Sequence, residues 1–63
     1  MKAHYKGNHA VRIRKNGQGR RGFVATHVCN IEEGLDSATV LGAKLFMTLN
    51  GADKYALKLL EKE

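Results

Sequence analysis

The feature that most constrains this chain is a stretch in which apolar and basic side chains alternate, a turn follows, and an apolar run resumes. Residues 10–14 alternate (AVRIR), residues 16–19 contain two glycines, and residues 23–28 are rich in β-branched and aromatic side chains (FVATHV). Successive side chains of a strand point to opposite faces, and glycine suits the turn between two strands. The sequence therefore predicts a β-hairpin over residues 9–28, with one face against a core and the other in water.

Two registers of this hairpin fit the sequence, one with a four-residue loop and one with a five-residue loop. The shorter loop places Ile13 opposite Gly22, and the longer loop places it opposite Phe23. A slip of one residue exchanges the two faces of a strand, so the two registers differ in their cross-strand pairs. In both, Arg12 and Arg14 point to the face opposite the core.

The C-terminal half predicts two helices. The apolar side chains of residues 37–49 would cover almost the whole circumference of a helix, which predicts a helix buried on most sides. The Asn-Gly pair at residues 50–51 predicts its end, because glycine closes a helix without a steric penalty. An amphipathic second helix is predicted over residues 52–61.

The N-terminal segment leaves two descriptions open. Residues 1–8 are either a partly ordered segment or a short third strand around residues 4–6 that ends at Gly7. Together the elements predict one α+β domain over residues 1–63, in which the hairpin packs on two C-terminal helices in the order ββαα.

The chain is short, with 63 residues, and Cys29 is its single cysteine. Small domains bury little surface and commonly depend on disulfides, a metal ion or a partner subunit. One cysteine excludes a disulfide within the monomer, and the three histidines lack the spacing of a structural zinc site. The sequence thus predicts no metal and no cofactor. It favours a homodimer formed through the first helix by Val40, Leu41, Leu45, Phe46 and Met47.

The charges divide unevenly between the two halves. Residues 1–30 contain seven Lys or Arg and no acid, whereas residues 31–63 contain four Lys or Arg and six Asp or Glu. A basic half of this kind predicts a polyanionic partner. No apolar stretch is long enough for a membrane span or a signal peptide. A cytoplasmic protein without membrane contact is expected, and such a chain would suit a bacterial or phage accessory protein.

Seven side chains of the hairpin form the predicted contact with nucleic acid. Two-stranded ribbons fit the major groove of DNA, where Arg pairs with guanine and Asn or Gln with adenine, while other cations neutralise phosphates. Duplex DNA is favoured over RNA, because RNA sites commonly stack bases on aromatics and the basic half holds only Tyr5 and Phe23. The predicted contact residues are Arg12, Arg14, Lys15, Asn16, Gln18, Arg20 and Arg21.

Two other interpretations of the same residues stay open. The arginines could keep an exposed strand edge from aggregating, or they could meet an acidic protein partner. In the second case the apolar first helix would be the docking surface of a small adaptor or inhibitor. Enzymatic activity is not predicted: His27 and Cys29 would share a strand face, but a lone cysteine at a strand end is typically a small buried apolar residue.

Residues 5–17 faintly resemble the sheet of the AP2 and integrase arm-binding type, whose strands read DNA and are backed by a helix. The quoted likeness is the Tyr-Lys-Gly of residues 5–7 followed by the VRIRKNG of residues 11–17. No motif that defines this type is present, so the DNA-binding prediction rests on the residues alone.

Overall fold

A computed structural model describes residues 2–17, 19–34 and 37–62, and over these ranges four strands are followed by one helix. The elements are β1 (Lys2–Lys6), β2 (His9–Lys15), β3 (Phe23–Cys29), β4 (Thr39–Phe46) and α1 (Leu49–Glu61). The strands form one antiparallel sheet in the order β1-β2-β3-β4, and α1 packs on one face of it. A 3-10 turn, Ile31–Glu33, follows β3.

The predicted order ββαα is wrong, because the stretch predicted as a first helix contains a strand. Thr39–Phe46 forms β4, which pairs with β3 at the edge of the sheet. A β-bulge explains why this strand could not be recognised from the sequence pattern. Val40 and Gly42 have partners on β3, and Leu41 between them is an extra residue. The extra residue breaks the alternation that identifies a strand, and the apolar run then looks helical.

Helix α1 begins earlier than predicted. Thr48 is its N-cap, and the Thr48 hydroxyl oxygen accepts a hydrogen bond from the backbone N–H of Gly51 at 3.1 Å. Asn50 and Gly51, predicted to end a helix, therefore lie in the first turn of α1, where the cap satisfies a free backbone donor. Within the described ranges no helix has the length and apolar character needed to cross a lipid bilayer.

The hairpin of β2 and β3 is present, but both predicted registers are wrong. Lys15 pairs with Phe23 and Ile13 pairs with Ala25, so the connecting loop spans the seven residues 16–22. The observed register differs from the predicted five-residue loop by two positions. An even shift keeps every side chain on its face, which is why the predicted outward direction of the arginines still holds.

Gly22 is the last residue of this loop and lies against β4. Its φ of 97° lies in the region that favours glycine, and a Cβ atom there would lie 2.6 Å from the carbonyl oxygen of Phe46. The backbone N–H of Asn16 donates to the carbonyl oxygen of Gly22 at 3.1 Å. Arg20 and Arg21 thus belong to a loop whose two ends are joined by a backbone hydrogen bond, and not to a strand.

The core lies between α1 and one face of the sheet, and it is small. Val11 and Ile13 of β2 are the largest fully buried side chains, which confirms that they face the interior. Much of the facing surface of α1 is alanine, so the helix approaches the sheet closely. The core cluster contains Val11, Ile13, Ala25, Ala52, Ala56 and Leu60, with Phe23, Phe46, Tyr55 and Leu59 packed around it.

The N-terminal segment forms the edge strand β1, the second of the two descriptions that the sequence left open. Asp53 of α1 binds this strand: its carboxylate accepts a hydrogen bond from Nζ of Lys2 at 2.9 Å and lies 3.0 Å from Nε2 of His4. These two hydrogen bonds, with His4 as the larger cause, hold the pKa of the Asp53 carboxyl below its usual value. The first strand is therefore attached to the helix by polar contacts.

Candidate nucleic-acid interface

The face of the sheet opposite α1 contains the two central arginines of the predicted site. Because side chains alternate along β2, Arg12 and Arg14 point away from the face that holds Val11 and Ile13. We call this surface the open face. Two neighbouring rows of cross-strand partners cross it: Ala3, Arg12, Thr26 and Ala43 in the first, and Arg14, Val24 and Leu45 in the second.

The surroundings of these arginines leave their charge available to an outside anion. Arg12 is half-buried among the short side chains of its row, and Arg14 is exposed. Over residues 2–17, 19–34 and 37–62 the ion pairs are those of Asp53 with Lys2 and His4, and neither arginine takes part in one. A bound phosphate or base would therefore not have to displace an acid from them.

The loop at the end of the open face adds further cations but fewer contact groups than predicted. Arg20 and Arg21 are exposed. The side-chain amide of Asn16 is used within the loop, where Nδ2 donates to the carbonyl oxygen of Arg21 at 3.1 Å. Lys15 is exposed but alternates onto the α1 side of the sheet. Gln18 lies outside the described residues.

The acidic side chains of the described residues lie away from this surface. Glu32 and Glu33 belong to the 3-10 turn, which follows the end of β3 farthest from the loop. The length of the intervening strand separates them from the loop by about 20 Å. Asp53 and Glu61 lie on α1, across the sheet. The positive charge of this surface therefore comes from four arginines, two on the open face and two in the adjoining loop: Arg12, Arg14, Arg20 and Arg21.

Tyr5 is an open-face residue that the sequence analysis did not place in the site. It is 59 % exposed, and it lies two positions from Ala3, the partner of Arg12, on the same face of β1. Alternation along β1 would have identified it once that segment was known to be a strand. Phe23, the other aromatic of the basic half, packs against the core instead.

A polar cluster on the α1 side joins β2 to β3. Nδ1 of His9 and Nε2 of His27 are 3.2 Å apart, and Cys29, half-buried, is the cross-strand partner of His9. In the part of the chain that the structure describes, no three His, Cys, Asp or Glu side chains are grouped to hold a metal ion. The contact between the two histidines links the side chains of β2 and β3.

The residues predicted to form a dimer interface lie on or just after β4, not on a helix. Phe46 packs beside Tyr55 of α1, with ring centroids 5.0 Å apart, and so belongs to the margin of the core. The other four are exposed and form what we call the apolar strip. They are Val40, Leu41, Leu45 and Met47, with 63 %, 53 %, 50 % and 64 % of their surface exposed.

No family model, curated protein or solved structure matches this chain. What the protein does must therefore be inferred from its own surfaces. Two features are distinctive: the arginines of the open face and its loop, and the uncharged apolar strip along β4, whose Leu45 lies on the same sheet face.

Proposed function

We propose that this protein binds duplex nucleic acid, DNA in preference to RNA, through the open face and the adjoining loop. The observation that supports this most is the position of Arg12 and Arg14 on the sheet face opposite α1, without an ion-pair partner among the described residues. Arg20 and Arg21 extend the same positive surface beyond the end of the strands. Catalysis has no part in this proposal.

The geometry suits a groove. β-Strands can lie in the major groove of B-DNA, where an Arg guanidinium can bind the O6 and N7 atoms of guanine, and here the two long side chains would extend into the groove from one strand of a four-stranded sheet. In this orientation Arg12 and Arg14, which stand on one strand two residues apart, would point at base edges. The loop cations Arg20 and Arg21 would reach the phosphates at the groove margin, which adds affinity and salt dependence.

DNA is preferred for two reasons. The major groove of an A-form RNA duplex is deep and narrow, so a strand pair cannot enter it as it enters B-DNA. Single-stranded RNA is usually held by stacking bases on several aromatic side chains, and Tyr5 is the one exposed aromatic on the described part of the open face. The cytoplasmic location expected from the sequence would give the protein access to such a duplex.

The test compares two triple variants that lose the same charge from different surfaces. Arg12→Ala/Arg14→Ala/Arg20→Ala changes the open face and its loop. Lys54→Ala/Lys58→Ala/Lys62→Ala changes exposed residues on or just after α1, on the other side of the sheet. Binding to a mixed-sequence DNA duplex is measured by fluorescence anisotropy over a series of KCl concentrations, with the RNA duplex of the same sequence alongside.

The parent is expected to bind DNA with an affinity on the order of micromolar at low salt, falling as salt rises. The arginine variant should bind at least about tenfold more weakly, with a salt slope shallower by roughly 1, because Arg20 is the phosphate contact among the three residues and each such contact contributes about 0.9. The lysine variant should bind like the parent. Absence of salt-dependent binding by the parent, or equal losses in the two variants, would overturn the proposal.

A further inference from the structure

Strand β4 is an exposed edge strand whose outer surface is largely apolar. Every residue from Thr39 to Leu45 is exposed, and the sheet order ends at this strand, so its outer backbone edge has no partner among the described residues. Lys44 is its one charged residue, and it lies on the α1 side, with Nζ 5.5 Å from the ring centroid of Phe46. The apolar strip therefore meets water without a charge beside it, a state that favours association.

The distribution of charge indicates which strand of a second copy β4 would pair with. The opposite edge, β1, carries Lys2 and Lys6 on its α1 side, so pairing β4 of one copy with β1 of another would bring Lys44 onto the same sheet face as these two ammonium groups. The arginines of the open face lie on β2, two strands from β4. Two β4 strands can thus meet while Arg12 and Arg14 of the two copies stay apart.

We propose that the protein forms a symmetric dimer in which β4 pairs antiparallel with β4 of a second copy, giving one continuous eight-stranded sheet. The dimer is independent of nucleic-acid binding, and either can hold without the other. A twofold axis perpendicular to the sheet places both open faces on the same side. With about 4.8 Å between strands, the two β2 strands would lie about 24 Å apart.

The side chains of β4 select the register. If the axis passed through Lys44, two ammonium groups would lie directly opposite, which is unfavourable. With the axis at Ala43, each Lys44 lies opposite Gly42 of the second copy, where there is room, since a Cβ atom on Gly42 would meet no atom within 4 Å. Leu41 then lies opposite Leu45 of the second copy, and the two leucines shield each other from water.

The first test is the oligomeric state. Sedimentation over a range of concentrations should show a dimer for the parent, and Leu41→Lys/Leu45→Lys should raise its dissociation constant at least about tenfold, because buried leucines are replaced by charges. Leu57→Lys is the matched control: Leu57 is 58 % exposed, like the strip residues, but lies on α1. It should leave the dimer intact.

A monomeric parent at all concentrations, or equal dissociation by the Leu57 control, would overturn the proposal. Thermal melts of each variant separate a loss of pairing from a loss of folding. Since the substituted leucines are at least half exposed, the folded monomer should survive.

Cross-linking tests the register in a Cys29→Ala background. Ala43→Cys places two thiols face to face at the axis, within the separation that a disulfide spans. Leu45→Cys is the control, because four residues of offset put its Cα atom about 13 Å from that of its copy. Mild oxidation should link the first variant and not the second. Failure of Ala43→Cys to link, or equal linking by Leu45→Cys, would refute this pairing of β4.

Discussion

Gly22 is the residue at which the loop of the hairpin touches β4. A side chain there would need a φ of 97° and would bring its Cβ atom 2.6 Å from the carbonyl oxygen of Phe46. Because the obstacle is backbone and cannot rotate away, Gly22→Ala should lower the free energy of unfolding by roughly 2 kcal/mol or more. Urea denaturation followed by circular dichroism measures this loss.

Gly17 in the same loop provides the control. A Cβ atom there would meet only the side chain of Arg20, at an ordinary contact distance of 3.5 Å. Gly17→Ala should therefore change the free energy of unfolding by less than about 0.5 kcal/mol. Equal effects of the two substitutions would show that the close approach to the Phe46 carbonyl oxygen is not the cause of the loss in free energy of unfolding.

For single side chains, the alternation of apolar and basic residues along β2 sufficed to predict that Arg12 and Arg14 point away from the core, since Ile13 between them had to face it. The role of Asn16 could not be predicted in the same way. Its amide is used inside a seven-residue loop, and the last residue of that loop, Gly22, lies against β4. A contact between segments so distant in sequence leaves no local signal.

The attachment of β1 to α1 makes the stability of the fold depend on pH. Hydrogen bonds from His4 and Lys2 lower the pKa of Asp53 in the folded state. A carboxyl whose folded-state pKa is depressed stabilises the fold above its unfolded pKa of about 3.9, and this contribution is lost as the pH falls through the folded value. Asp53→Asn should therefore be less stable than the parent at pH 7, and the difference should shrink below about pH 4.

Urea denaturation at several pH values between neutral and strongly acid measures that difference. Glu33→Gln is the matched control, because Glu33 is exposed in the 3-10 turn and makes no ion pair with the described residues. It should differ little from the parent at any pH. If the difference in free energy of unfolding between Asp53→Asn and the parent stayed constant down to pH 2, the pH dependence would not come from the Asp53 carboxyl.

Among the elements, the hairpin and the amphipathic helix were predictable, and β4 was not. The hairpin alternates strictly and the helix has one apolar face, so each shows its own period. In β4 the bulge at Leu41 interrupts the alternation, and the apolar Phe46 at the margin of the core directly follows Leu45 of the strip. The short stretch that still alternates, residues 42–45, is too brief to have identified the strand.

For the molecule as a whole, stability depends on a few buried aliphatic side chains. Ile13 is 2 % exposed and packs against α1, and within the described ranges only Val11 joins it among the largest fully buried side chains. Ile13→Ala should lower the free energy of unfolding by about 2–5 kcal/mol. In a domain of this size that is a fall in melting temperature of more than about 10 °C.

Calorimetry or a circular dichroism melt measures the shift. Leu57→Ala removes a comparable aliphatic group from an exposed position on α1 and should leave the melting temperature nearly unchanged. Similar shifts for the two variants would mean that the core between α1 and the sheet is not the main source of stability. The protein concentration is kept constant, because association raises apparent stability.

The polar contact between β1 and α1 joins residues 51 positions apart, and α1 covers side chains that lie near the start of the sequence. During synthesis the strands leave the ribosome first, with one apolar face uncovered. The sheet gains its core only when residues 49–61 have emerged, so stable folding is delayed until then. Throughout that interval the nascent chain is most open to misassembly, and protection by a chaperone would matter most before the final helix is made.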